Sequence, residues 1–142
     1  MDAKEALVRA SIFASLKPSL LNTLARSTKL RQFAAGDLLV KEGDEATTFF
    51  VLCSGDAEVV KGLEPASGRV IGTLTAGDFF GEMALLDGFP RAATVRATCD
   101  CECLVLARWD FLALVRTSPE VALAILPVLC QRLRECEDQL LP

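Results

Sequence analysis

A Gly-Asp pair occurs four times in this 142-residue chain, at Gly36-Asp37, Gly43-Asp44, Gly55-Asp56 and Gly77-Asp78. Glycine reaches positive φ without a Cβ penalty and aspartate closes the turn through its own side chain, so each pair marks a tight reversal. The apolar runs between them, Leu38-Leu39-Val40, Phe49-Phe50-Val51-Leu52-Cys53 and Ala57-Glu58-Val59-Val60-Lys61, are too short for helices. Reversals at this spacing predict a compact β sandwich or barrel. Leu30, Gln32 and Ala34 alternate ahead of them, and residues 69–74, 94–98 and 102–106 continue the pattern as strands, with residues 62–68 as a hairpin tip.

Both flanks change period. Leu7, Val8, Ile12, Phe13 and Leu16 form an apolar stripe that breaks at Lys17-Pro18-Ser19 and resumes at Leu20, Leu21 and Leu24. From Trp109 onward Phe111, Leu112, Leu114 and Val115 again fit a helix, and Ser118-Pro119-Glu120 opens another, with a capping serine and a proline at the first helical position. Pro127 is expected to kink that last helix. The length suits one domain with a proper core. It divides into a helical segment over 1–27, a β region over 28–107 and C-terminal helices over 108–142.

Composition narrows the chemistry. A formal net charge of −4 argues against a chain whose main partner is nucleic acid or an anionic membrane. No apolar run is long enough to cross a bilayer, and the acidic N-terminus lacks the order of a signal peptide, so a cytoplasmic protein is expected. The absence of histidine removes the usual general base, the Ser-His and Cys-His pairs and the commonest metal ligand, so no enzyme is expected. Of the six cysteines, Cys99, Cys101 and Cys103 alternate with Asp100 and Glu102. They read as small buried hydrophobes on one strand face, in a reducing compartment; a metal site is the sharper alternative, but one strand spreads its ligands along a line.

The stretch from Gly81 to Val95 carries the most chemistry. It holds Glu82 and Arg91 among small residues that leave backbone N–H groups unshielded, and the residues after Gly81 can open a short helix. An arginine fork suits a phosphate and a carboxylate can accept from a sugar hydroxyl. Phosphate, sugar and an apolar wall together describe a nucleotide. Other roles are open to the two charges: Arg91 can pair with Asp87 or Glu82 at the surface, and Glu82 can be an exposed acid at a helix start.

Phe80-Gly81-Glu82-Met83-Ala84-Leu85 and Pro90-Arg91-Ala92-Ala93-Thr94-Val95, at this separation, resemble the phosphate-binding cassette of cyclic-nucleotide-binding domains. Such domains occur in regulatory subunits of cyclic-AMP-dependent protein kinase, in cyclic-nucleotide-gated channels and in catabolite-activator-type regulators. The resemblance implies an α+β, mainly β, fold: an eight-stranded jelly-roll barrel flanked by N-terminal helices and two C-terminal helices. It implies a switch with no cofactor, whose ligand is cyclic AMP or, less favoured, cyclic GMP.

By the same resemblance Arg91 binds the cyclic phosphate, Glu82 accepts from the ribose 2′-hydroxyl, and the backbone of Gly81, Ala84, Leu85 and Ala92 completes the cradle, with Met83 and Ala93 beside it. Ala92 stands where cyclic-GMP-preferring relatives often carry a hydroxyl, which favours cyclic AMP. Val70 and Ile71, with Leu74, are either the wall against the base or ordinary core. An arginine on the last helix caps the purine in channel-type relatives; Arg132 occupies the equivalent stretch, with Arg134 as its competitor. Leu129, Leu133, Cys136 and Leu140 are spaced for a homodimer through the last helix or for packing on its own barrel. Catabolite-activator-type regulators carry a winged helix-turn-helix beyond that helix, whereas this sequence ends at Pro142. The expectation is a sensor acting on a separate protein effector, with no DNA or membrane partner; the alternatives are a nucleotide-independent scaffold and a fragment of a larger regulator.

Overall fold

The computed structural model describes residues 3–9, 11–62 and 68–140, and most of the expected hairpin tip lies outside them. In chain order the elements are α1 (Ala3–Arg9), a 3-10 turn (Ser11–Phe13), α2 (Pro18–Ser27), β1 (Lys29–Phe33), β2 (Leu38–Val40), β3 (Thr48–Ser54), β4 (Ala57–Lys61) and β5 (Arg69–Leu74). There follow β6 (Phe79–Phe80), a 3-10 turn (Glu82–Leu85), β7 (Thr94–Ala97), β8 (Cys101–Ala107), α3 (Arg108–Thr117) and α4 (Glu120–Leu140). The strands make two antiparallel sheets, ordered β1-β8-β3-β6 and β2-β7-β4-β5. The jelly-roll layout is present, but the barrel is not closed: each sheet ends on edge strands.

The first sheet is covered on both faces, which explains its unbroken apolar runs. Along β3, Phe49 and Val51 join a core with α1, α2, α3 and α4, while Phe50 and Leu52 face the second sheet. Along β8, Leu104 and Leu106 take the helical side and Cys101, Cys103 and Val105 the sheet side. Phe13, Phe49 and Phe111 centre the helical core, with ring centroids 5.7 and 6.0 Å from Phe13. A fully buried phenylalanine contributes roughly 1.5–3 kcal/mol, so this triad anchors both helical flanks to the sheet.

Gly55 shows why one Gly-Asp turn needs its glycine. Its φ is +88°, and a Cβ there would lie 2.3 Å from the Asp100 carbonyl oxygen.

One expectation changes. Cys99 lies in the β7–β8 turn, not on the strand, where its sulfur accepts from the Asp56 N–H at 3.2 Å. Only Cys101 and Cys103 form the buried face, and among the described residues no cysteine or acid group is arranged to hold a metal. As for the last helix, α4 runs from Glu120 to Leu140 with Pro127 inside it. The carbonyl that loses its partner there belongs to Leu123, whose side chain is exposed, so water can satisfy it. Among the described residues no single helix is long and apolar enough to cross a membrane.

Candidate functional site

The segment after β6 turns because Gly81 adopts φ +81°. That conformation swings the chain into the Glu82–Leu85 turn, closed by an Ala84 N–H bond to the Gly81 carbonyl at 3.0 Å. Leu85 drops fully buried into the helical core, Ala84 is buried, and Met83 stays exposed. Asp87 then accepts from the Phe89 N–H at 3.0 Å, which turns the loop toward Pro90. Backbone bonds to the β2–β3 loop fix the Arg91 backbone: Gly43 N–H to Arg91 O at 2.9 Å and Arg91 N–H to Asp44 O at 2.8 Å.

These elements enclose a cavity of about 400 Å³, within the usual range for small-molecule sites. Gly81, Glu82, Met83, Ala84, Arg91, Ala92 and Ala93 line it. Its apolar wall comes from Val40, Val59, Val95, Phe79 and Phe80. Val70 and Ile71 are not in the lining: they sit on edge strand β5, 47% and 52% exposed. Leu74 packs against the inter-sheet core. The sequence does not mark the wall residues, because each belongs to an ordinary strand pattern; only their strands' positions beside the cassette give them a role.

Arg91 reaches from the cassette back over β3. Its Nη2 donates to the Thr48 carbonyl at 2.6 Å, and its guanidinium lies 5.7 Å from the centroid of Phe50, which is stacked on Phe80 at 4.8 Å. No carboxylate of the described residues pairs with it, neither Asp87 nor Glu82. Burial without a counter-charge pulls its pKa down from the ordinary arginine value. The aromatic pair and the Thr48 carbonyl beneath it leave no sign in the local motif.

Glu82 is the acid of the site, with its side chain 13% exposed. Its Oε1 pairs with Nη1 of Arg132 from α4, and its Oε2 is buried without a hydrogen-bond partner among the described residues. An unsatisfied buried carboxylate oxygen is costly, so this atom is an acceptor waiting for a donor. Arg132 therefore stands on the cassette acid, while Arg134 is exposed. The contact joins residues fifty apart in sequence, which no local pattern reveals.

A profile of the cyclic nucleotide-binding domain matches residues 30–118. The cAMP-dependent protein kinase regulatory subunit of Mycosarcoma maydis is 37% identical over 91 residues, 64% of this chain and 17% of that protein. Among solved structures, the N-terminal domain of a transcriptional regulator from Streptomyces coelicolor A3(2) superposes with a TM-score of 0.85 at 28% identity, covering 95% of this chain and 94% of that one. The regulatory domain of Toxoplasma gondii PKA with cAMP gives a TM-score of 0.72 at 33% identity, covering 79% of this chain and 42% of that one. The chain thus spans well under half of the kinase regulatory proteins it matches.

Proposed function

This chain belongs to the cyclic nucleotide-binding domain family, and from that premise we propose that it is a regulatory module that binds cyclic AMP in the cassette cavity. The observation that carries the reading is the pairing of open valences among the described residues: a half-buried guanidinium with no counter-charge and a buried carboxylate oxygen with no donor line the same cavity. A cyclic phosphodiester brings one negative charge to Arg91 and a 2′-hydroxyl to Glu82. A phosphomonoester such as AMP brings close to two charges at neutral pH, more than one arginine neutralises. Ala92 lacks the hydroxyl that would bond the guanine amino group, a contact worth about 1 kcal/mol, which leaves cyclic AMP the favoured ligand.

Signalling then runs through α4. Glu82 holds Arg132 through one oxygen and offers the other to the ligand, so ribose binding and helix position share one carboxylate. Leu85 sits in the same core as Phe111 of α3 and Ile125 of α4, which gives cassette movement a packed route to both helices. Ligand shifts this equilibrium by its differential affinity for the two arrangements. On this reading Arg132 moves over the base as α4 closes.

The output partner is a protein: a second copy of this chain or an effector. Leu129 packs against the core, so the outward row on α4 is Leu123, Leu126, Cys130 and Leu133, at alternating three- and four-residue spacing. That is the spacing of a two-helix seam, and we take a second copy as its occupant. Light scattering should give a dimer for the wild type and a monomer for the Leu126→Glu, Leu133→Glu variant.

Calorimetric titration with cyclic AMP, cyclic GMP and AMP tests the ligand. Saturable binding in the order cyclic AMP, cyclic GMP, AMP supports the reading. No binding by folded protein freed of carried-over ligand overturns it in favour of an interaction scaffold.

A further inference from the structure

The arm that carries Arg91 is gripped by a charge that does not line the cavity. Lys61, the last residue of β4, donates from Nζ to the Ala92 carbonyl at 2.5 Å. Glu42 aims it: its Oε1 lies 3.6 Å from that ammonium and also accepts the Gly62 N–H at 3.1 Å. The Glu42 side chain is 12% exposed, and its own N–H is tied to Oγ1 of fully buried Thr94 at 2.9 Å. A nearly buried carboxylate, fixed at both ends, thus directs a half-exposed ammonium at the Ala92–Ala93 peptide.

The consequence is set by peptide geometry. A trans peptide points its C=O and N–H in opposite directions. With the Ala92 carbonyl held by Lys61, which lies outside the lining, the oxygen that would repel an anion is turned away from the cavity. The ammonium also places a second positive charge behind the arm, where an anion in the cavity feels it through one peptide group. Glu42 offsets much of that charge, so what reaches the anion is the ammonium end of the Lys61–Glu42 pair, the end nearer the arm.

We infer that Lys61, oriented by Glu42, is a positioning residue for the anion end of the site: it fixes the Ala92–Ala93 peptide and raises affinity for the phosphate without touching it. This rests on the cyclic-nucleotide reading. A purely structural role for Lys61 would stabilise the fold and weaken all ligands alike; the positioning role acts on the phosphate.

The experiment is a set of titrations of the full chain with cyclic AMP and with adenosine, at low and high salt, for the wild type, Lys61→Met and Lys61→Arg. Thermal unfolding of each ligand-free protein runs alongside. Lys61→Met is expected to weaken cyclic AMP about tenfold and to flatten its salt dependence, with adenosine affinity close to wild type; the ligand-free unfolding midpoint should fall by about 5 °C or less, because Glu42 loses its cation, and recover in Lys61→Arg. Lys61→Arg is expected to recover most of the loss. Wild-type cyclic AMP affinity in Lys61→Met overturns the inference, as does an equal loss for cyclic AMP and adenosine. A wild type that binds adenosine but gains nothing from the cyclic phosphate, or binds neither, overturns the site reading and this inference with it.

Discussion

Arg91→Ala separates a binding arginine from a structural one. In the ligand-free protein the side chain makes one charged hydrogen bond, to the Thr48 carbonyl, and one contact with the Phe50 ring. The bond contributes about 1.5–3 kcal/mol and the ring contact about 0.5–1 kcal/mol. Against them stands the desolvation that lowers the arginine's pKa, uncompensated by any carboxylate of the described residues. These oppose one another, so we expect the ligand-free stability to change by about 1 kcal/mol or less, a shift of no more than about 5 °C in unfolding midpoint. Binding is different. Truncating one partner of a hydrogen-bonded charge pair costs about 2–5 kcal/mol, which is about thirtyfold to several thousandfold in Kd for cyclic AMP. Arg91→Lys keeps the charge and loses the fork, and should fall between. Calorimetry and differential scanning on the same three proteins read both quantities. Unchanged affinity in Arg91→Ala refutes the argument, and so does a loss of affinity that merely follows a collapse in stability.

Further outcomes follow from the same geometry. Gly81→Ala places a Cβ 2.5 Å from Nη1 of Arg91 and 3.0 Å from the Thr48 carbonyl at φ +81°; thermal unfolding should show a loss of about 1–2 kcal/mol, with cyclic AMP binding weakened as Arg91 is displaced. Glu82→Gln should weaken cyclic AMP about tenfold, because a charged acceptor becomes neutral, yet leave 2′-deoxy cyclic AMP nearly unaffected in titration. Burial pushes the Cys103 thiol up to about 12 from 9.0, so the folded state holds its proton more tightly than the unfolded chain. Its contribution to stability is complete below pH 9 and is lost as pH rises toward about 12; unfolding midpoints across that window should fall more steeply for the wild type than for Cys103→Ala. Alkylation followed by mass spectrometry should label exposed Cys130 and Cys136 first and buried Cys101 and Cys103 only on unfolding.

The fold was legible where backbone chemistry is local. Gly36, Gly43, Gly55 and Gly77 all take positive φ, as turns written in Gly-Asp should. The apolar runs of β3 and β8 showed that those strands are buried but not which residues face the helices and which the second sheet, because both sides are apolar. Cys99 illustrates the limit of alternation: the pattern continues through it, yet the bond from Asp56 claims it for the turn. Pro127 sits inside a continuous helix, beside an exposed residue, Leu123, one turn earlier.

In the site, the cassette residues are adjacent in sequence and so could be read together. Val70 and Ile71 could not be told from pocket wall, because an apolar residue on an edge strand and one on an inner strand look alike until the strand order is known. The partners that decide the chemistry are all distant in sequence: Thr48 and Phe50 beneath Arg91, Arg132 on Glu82, Lys61 on Ala92. Each arises from sheet order and helix packing, which bring separate segments to one cavity.

The most direct test of the account is a crystal structure of the chain with cyclic AMP bound. It should place the phosphate oxygens within about 3 Å of the Arg91 guanidinium, with the 2′-hydroxyl donating to Glu82. A nucleotide seated elsewhere, or one in the cavity with Arg91 still turned only to the Thr48 carbonyl, would contradict it.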